Sequence, residues 1–242
     1  MLLATMTMPQ VEAALQQTRT VIIPCGSVEE HGPHLPLNTD LLHAEEVAQR
    51  AAARRAVLVA PPLPYGHCRS TSDHPGTISI SAAAVRLLAW DVATSLYRMG
   101  CRQILFLTGH AGGTHLAALI EAGEQLLAAF PDVSVAVVNV LDLLREALRQ
   151  DPTLVQTPGD AHAGEVETAL VLAIQPELVQ GTAPAEWPAF PKYILTRQKR
   201  RYWPGGVWGD PGSATAAQGL KILEAEVQEL LRVMQQLENI SD

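Results

Sequence analysis

The run Ile104-Leu-Phe-Leu107, set between Gln103 and Thr108, constrains the fold more than any other stretch, because it is apolar without alternation and then stops at Gly109-His110-Ala-Gly-Gly113. A strand with one wet face alternates apolar and polar residues, and a strand covered on both faces does not. Gln103 to Thr108 therefore reads as a parallel strand lying between layers of helices. The runs Thr20 to Pro24, Ala56 to Ala60 and Val133 to Val140 have the same character. Helical spacings lie between them. Asp40 takes the N-cap slot before Leu41, Leu42, Val47, Ala48 and Ala51, and Arg54-Arg55 closes that helix with charge suited to its dipole. Ser81 and Gly100 bracket a second helix with Val85, Leu88, Val92, Leu96 and Met99 on one face, and Leu116, Leu119, Ile120, Leu126 and Leu127 mark a third. Strands alternating with helices in this way need right-handed crossovers, so the chain is α/β, a mainly parallel central sheet with helices on both faces.

The C-terminal half is less regular. A turn-rich stretch, Thr157 to Gly164, leads into a helical pattern from Glu165 to Ile174, with Glu167, Leu170, Val171 and Ile174 on one face. Ala183 to Gly212, rich in proline and tryptophan, resists assignment. A last helix from about Ser213 places Leu220, Leu223, Val227, Leu230, Met234 and Leu237 in a narrow seam of the kind that packs on a partner helix.

At 242 residues and 48% hydrophobic content the chain can bury one large core, and we expect a single domain over 1–242. Lys and Arg total 17 against 25 Asp and Glu, a formal charge of −8, which argues against nucleic acid or an anionic membrane as partner and for a small molecule or peptide. The basic and aromatic cluster Lys192 to Trp203 is better suited to a subunit contact than to a nucleic acid. Cys25, Cys68 and Cys101 are odd in number and widely spaced, so they fit packed thiols in a reducing cytosol. No apolar run is long enough to span a membrane.

Carboxylates and imidazoles are densest in the loop Gly26-Ser-Val-Glu-Glu-His-Gly-Pro-His-Leu-Pro-Leu-Asn-Thr-Asp40, which leaves the first strand where open α/β sheets bind ligands. Glu29 and His31, two apart in extended chain, point the same way, and His110 follows the third strand at the same edge. With Asp40 they form a candidate metal site, since imidazole with carboxylate suits Zn²⁺, Mn²⁺ or Fe²⁺. His34, His43, His67 and His115 read instead as surface or hydrogen-bonded residues.

These residues closely resemble the signature of the creatininase (creatinine amidohydrolase) family. The resemblance takes in the loop just quoted, His74-Pro-Gly-Thr77, Thr108-Gly-His-Ala-Gly-Gly113, His162-Ala-Gly-Glu-Val-Glu-Thr168 and Gly206-Val-Trp-Gly-Asp-Pro211, in the family's order. It implies a three-layer αβα fold, a homo-oligomer that is usually a hexamer, and two divalent ions: Glu29 and His110 on one, His31 on the other, Asp40 bridging. It further implies an amidohydrolase that attacks a cyclic amide or other non-protein C–N bond with a metal-bound hydroxide, His162 handling the proton of the leaving nitrogen.

The chain departs from the family pattern in two places. The family's name-giving enzyme has a second-ion glutamate two residues after the histidine matching His110, and here that residue is Gly112. Glu165, three residues after His162, is the candidate replacement and thus a catalytic and metal-site residue; the alternative is an acid favoured only by the helix dipole. The tryptophans that enclose creatinine are matched by Leu141 and Pro158, and the aromatic beside the metal histidine by Ala111, so no aromatic clamp is expected and creatinine is disfavoured. Two alternatives remain open: a binding or scaffolding protein with one structural metal, or a family branch acting as a formamide deformylase or a cofactor-maturation peptidase.

Overall fold

The computed structural model describes residues 1–240. Four strands, β1 (Thr20–Cys25), β2 (Leu58–Val59), β3 (Gln103–Thr108) and β4 (Ser134–Asn139), form one parallel sheet in the order β2-β1-β3-β4. Helices α1 (Met8–Leu15), α2 (Thr39–Ala52), α3 (Ala82–Met99), α4 (Gly113–Ala129), α5 (Val140–Gln150), α6 (Glu165–Ile174) and α7 (Ala216–Asn239) surround it. The fold is the expected α/β architecture, three-layer αβα around a parallel sheet.

Successive strand side chains point to opposite faces, and here both faces are apolar. Val21, Ile23, Ile104 and Phe106 face Ala89, Ala93, Leu119 and Leu126 of α3 and α4; Ile22, Leu105 and Leu107 face Val47, Leu170, Leu223 and Val227 of α2, α6 and α7. The second strand is shorter than the Ala56–Ala60 run. Asn38, not Asp40, precedes α2, and Asp40 sits in its first turn. The helix faces also differ from the periodic reading: Leu88, Met99, Ile120, Leu127 and Leu220 are exposed. Small residues such as Ala89, Ala93, Ala118 and Ala122 make the close contacts instead, because a helix lying on a flat sheet is approached most closely along its small-residue stripe.

The chain leaves β1 through α2 toward β2 on one side, and leaves β3 through α4 toward β4 on the other. With α2 and α4 on opposite faces, a crevice opens beyond the carboxyl ends of β1 and β3, the topological switch point of the sheet. Cys25 pairs with Thr108, so both loops start level. Gly109 lets them meet: a Cβ there would lie 1.9 Å from the Asp40 carbonyl oxygen.

Candidate active site

At that crevice Glu29, His31, Asp40 and His110 come together, all buried. Asp40 is the centre. Its Oδ2 lies 3.0 Å from His110 Nδ1, which is also 2.9 Å from Glu29 Oε2. Its Oδ1 faces the other way, 3.3 Å from His31 Nε2, and that nitrogen is 3.6 Å from Glu167 Oε2. Two imidazole–carboxylate groups thus share one aspartate, an oxygen for each.

Hydrogen bonds around this set fix which atoms face inward. His31 Nδ1 lies 3.1 Å from the Glu29 carbonyl and His110 Nε2 lies 3.1 Å from that of His67. A carbonyl only accepts, so those nitrogens carry the hydrogens, and His31 Nε2 and His110 Nδ1 are turned toward the carboxylates. Ser27 donates to Asp40 Oδ2 at 2.6 Å and the Thr71 hydroxyl donates to Glu29 Oε1.

Burial pushes the Asp40 carboxyl up, but the charge of His31 and the hydrogen bond of His110 outweigh it and hold Asp40 well below the usual carboxylate range. Burial likewise opposes Glu29 and Glu167, and His110 and His31 respectively bring each below its ordinary value. Both imidazoles, pressed down by burial, are carried well above theirs by Glu167 and Asp40 around His31, and by Glu29 and Asp40 around His110.

Three buried, ionised carboxylates thus face two imidazoles, and His31 Nε2 has no hydrogen-bond partner among the described residues. A buried polar atom without a partner, aimed at two carboxylates, fits a cation. His31, Asp40 and Glu167 offer ligand atoms within 4.8 Å of one another.

Glu165 does not join them. Its carboxylate accepts from the backbone N–H groups of Gln156, at 2.9 Å, and Thr157, at 2.5 Å, and from the Gln218 amide. It ties the 152–157 loop to α6 and α7 and lies away from His31. Glu167, two residues on and so about 200° round the helix, faces the site instead. In the sequence Glu167 shows only as a member of a helical face, and its place beside Leu170 and Val171 on that buried face is the one signal of its role.

Gly112 also acquires a reason. A Cβ there would lie 2.5 Å from His110 Nε2, so any side chain at this position would displace the His110 ring.

His162 lies at the rim of the same crevice. Its ring lies against that of His31, centroids 4.2 Å apart and planes tilted by 32°, and its Nε2 lies 2.8 Å from the Glu30 carbonyl. A backbone bridge to Trp208 and a left-handed Ala163, φ 48°, hold it there. Of the remaining histidines, His34 bonds Thr168, His43 bonds Glu226 and His67 bonds the Ile80 carbonyl, while His115 is buried beside Thr108, so each has a place in the fold's own bonding.

The groups open into a cleft of about 430 Å³ lined by Ala111, Leu141, Arg69, Arg145, Trp203 and Trp208 among others. Aromatics therefore do reach the cleft, supplied by the irregular 183–212 segment. Pro158 is not among the lining residues. A second trough of about 590 Å³ shares Arg69, Ser70 and Trp208 with it and continues along Phe190, Tyr193 and Leu195.

Comparison with known proteins places the chain in a family. A family profile described as creatinine amidohydrolase matches residues 4–234. The mycofactocin precursor peptide peptidase of Mycobacterium ulcerans is 34% identical over 224 residues, 87% of this chain and 82% of that protein. A solved mutant creatininase of the Zn-Zn type superposes with a TM-score of 0.83 at 27% identity, and a manganese creatininase with 0.84 at 26%. Each of these two covers 97% of both chains. The chain belongs to the creatininase family of metal-dependent amidohydrolases.

Proposed function

We propose that the chain, acting as one domain, is a two-metal hydrolase in which Glu29, Asp40 and His110 hold one divalent ion and His31, Asp40 and Glu167 the other. Glu167 takes the part that the sequence reading gave Glu165. The observation that carries this is the divided aspartate, one oxygen toward each imidazole–carboxylate group. When bound, the ions supply a water acidified into the neutral range and polarise the amide oxygen.

The chain's own residues do the rest. Ser27 and Thr71 orient the Asp40 and Glu29 carboxylates. His162, anchored through Nε2 on the Glu30 carbonyl, keeps Nδ1 for the proton that the leaving nitrogen needs. Trp203, edge-on to His162 at 5.0 Å, shields that proton from bulk water.

The substrate proposed is a small amide or a short peptide. Ala111 and Leu141 leave the floor of the cleft open, Trp203 and Trp208 give it one aromatic wall, and the adjoining trough has room for chain beyond the scissile bond. The trough favours a short peptide over a free ring, in keeping with the similarity to a precursor-peptide peptidase, and creatinine stays disfavoured. Lactams, hydantoins, formamides and short peptides should be assayed with added Zn²⁺, Mn²⁺ or Fe²⁺. Turnover that chelation abolishes is expected. Protein carrying two ions that turns over none of them overturns the reading in favour of a binding or scaffolding role.

We further propose a homo-oligomer, a hexamer by family resemblance, working in the cytosol, where three free and buried thiols are at home. Tyr193, Ile194 and Leu195 are 93, 66 and 84% exposed, an apolar patch at the outer end of the trough that a subunit contact would cover while leaving the end beside Arg69 and Trp208 to substrate. Light scattering at the 26.0 kDa monomer mass would refute the oligomer.

A further inference from the structure

Three cysteines are buried, and they sit in two kinds of surroundings. Cys25 and Cys101 lie in the apolar cluster under α3 and α4, among Ile23, Phe106 and Leu119. They behave as small hydrophobes. Cys68 is fully buried too, yet it belongs to none of the apolar clusters among the described residues. Its Sγ, an oxygen of Glu29 and a ring nitrogen of His110 all lie within 4.8 Å of one another.

The peptide bond between His67 and Cys68 is held on both of its sides. The His67 carbonyl accepts from His110 Nε2, and the Cys68 N–H donates to the Ser79 hydroxyl at 2.9 Å. The thiol is therefore placed by the same bond that fixes the tautomer of His110. Burying a polarisable sulfur between a carboxylate and an imidazole has no packing advantage over an aliphatic residue, but it completes a donor set.

Resting on the two-metal reading above, we propose that Cys68 is a ligand of the ion held by Glu29, Asp40 and His110, and that this half of the site selects zinc over manganese. As the metal–sulfur bond forms, the S–H bond breaks and its proton leaves to solvent. Imidazole and carboxylate serve zinc and manganese alike, whereas thiolate favours the softer ion. The assignment also separates the two halves. With Cys68 the first ion would have four protein ligands, as in sites that hold a metal in place, whereas His31, Asp40 and Glu167 would give the second ion three and leave it free to act on substrate.

The test is cobalt titration of the full-length protein, stripped of metal and kept reduced, because cobalt replaces zinc and reports its ligands in its absorption spectrum. A thiolate-to-cobalt charge-transfer band in the near ultraviolet is expected, saturating at one thiolate per chain. Cys25→Ser and Cys101→Ser should keep the band, and Cys68→Ser should lose it while still binding cobalt. In competition between Zn²⁺ and Mn²⁺, Cys68→Ser should reduce the zinc preference of one ion per chain by at least the ~10-fold that losing even an outer partner of a ligand costs. The wild-type spectrum decides the matter even if a variant fails to fold. Cobalt bound without the thiolate band overturns the Cys68 assignment and leaves the two-metal reading standing. No cobalt uptake at all overturns both.

Discussion

The two sides of the active site are built by different means. Glu29, His31, Asp40 and His110 leave β1 and β3, strands paired residue by residue from Thr20 and Gln103 to Cys25 and Thr108, so the register of the sheet sets their height and the glycines after it set their closeness. His162, Glu167, Trp203 and Trp208 have no strand beneath them. They are held by bonds outside the sheet: Asp160 caps α6 through the N–H groups of Glu165 and Val166, the Ala163 N–H donates to Glu167, and the backbone of Trp208 pairs with that of His162 in an isolated bridge. On the sheet side a ligand can be changed with the scaffold left intact. On the other side the scaffold and the site share residues.

That contrast sets the order of expected effects. Asp40→Asn touches both ions, so metal content by mass spectrometry should fall toward zero and hydrolysis by on the order of 1,000-fold or more. Folding should survive, since Ser27 still has an oxygen to donate to. If both ions stay, Asp40 does not bridge them. Glu167→Gln comes next. One ion should leave while Glu29, Asp40 and His110 keep theirs, with activity lost nearly as fully. Two ions retained in this variant would return the second ion to another ligand.

Glu165→Ala probes the other side in the opposite sense. Glu165 answers two backbone N–H donors inside the protein. Each donor left without a partner costs about 1–3 kcal/mol, so urea unfolding should show a loss of roughly 2–6 kcal/mol with metal stoichiometry unchanged. Loss of an ion with stability intact would reverse the roles of Glu165 and Glu167.

The same division explains what could be read from the sequence. Ile104 to Leu107 announces a strand buried on both faces by composition alone, and Glu29, His31, Asp40 and His110 are found because the ends of such strands are ligand sites in any open α/β sheet. Which carboxylate of the Glu165-Val-Glu167 pair faces the metal depends on the phase of α6. That phase is set by Asp160, five residues before the helix, and by the close approach of α7 at Gly219, where a Cβ would lie 1.9 Å from the Ala169 carbonyl. Neither is a periodic signal. Trp203 and Trp208 were hidden for a related reason. Their segment has almost no regular structure, so its path across the cleft is written in contacts distant in sequence, such as His74 Nε2 on the Trp203 carbonyl at 2.6 Å.

The smallest expected effect is one of pH, and it tests how tightly α6 is seated behind the site. His34 is 1% exposed; its Nε2 bonds Thr168 of α6 at 2.9 Å, and its Nδ1 has no partner among the described residues. Burial, and then the charge of His31, bring its pKa down to about 4, against about 6.5 in an unfolded chain. Between these values the unfolded state binds the extra proton. The contribution of His34 is therefore complete above pH 6.5 and drains away as the pH falls toward 4, amounting to about 2 kcal/mol at pH 5 relative to pH 8. Urea unfolding of the metal-free protein across this range isolates it from metal release, and His34→Gln keeps a polar group against Thr168 while removing the titration. The variant should lose close to one proton from the pH dependence of stability between 6.5 and 4. An unchanged slope would mean that His34 takes up its proton in the folded state, and that α6 is seated loosely enough to admit water behind the metal side of Glu167.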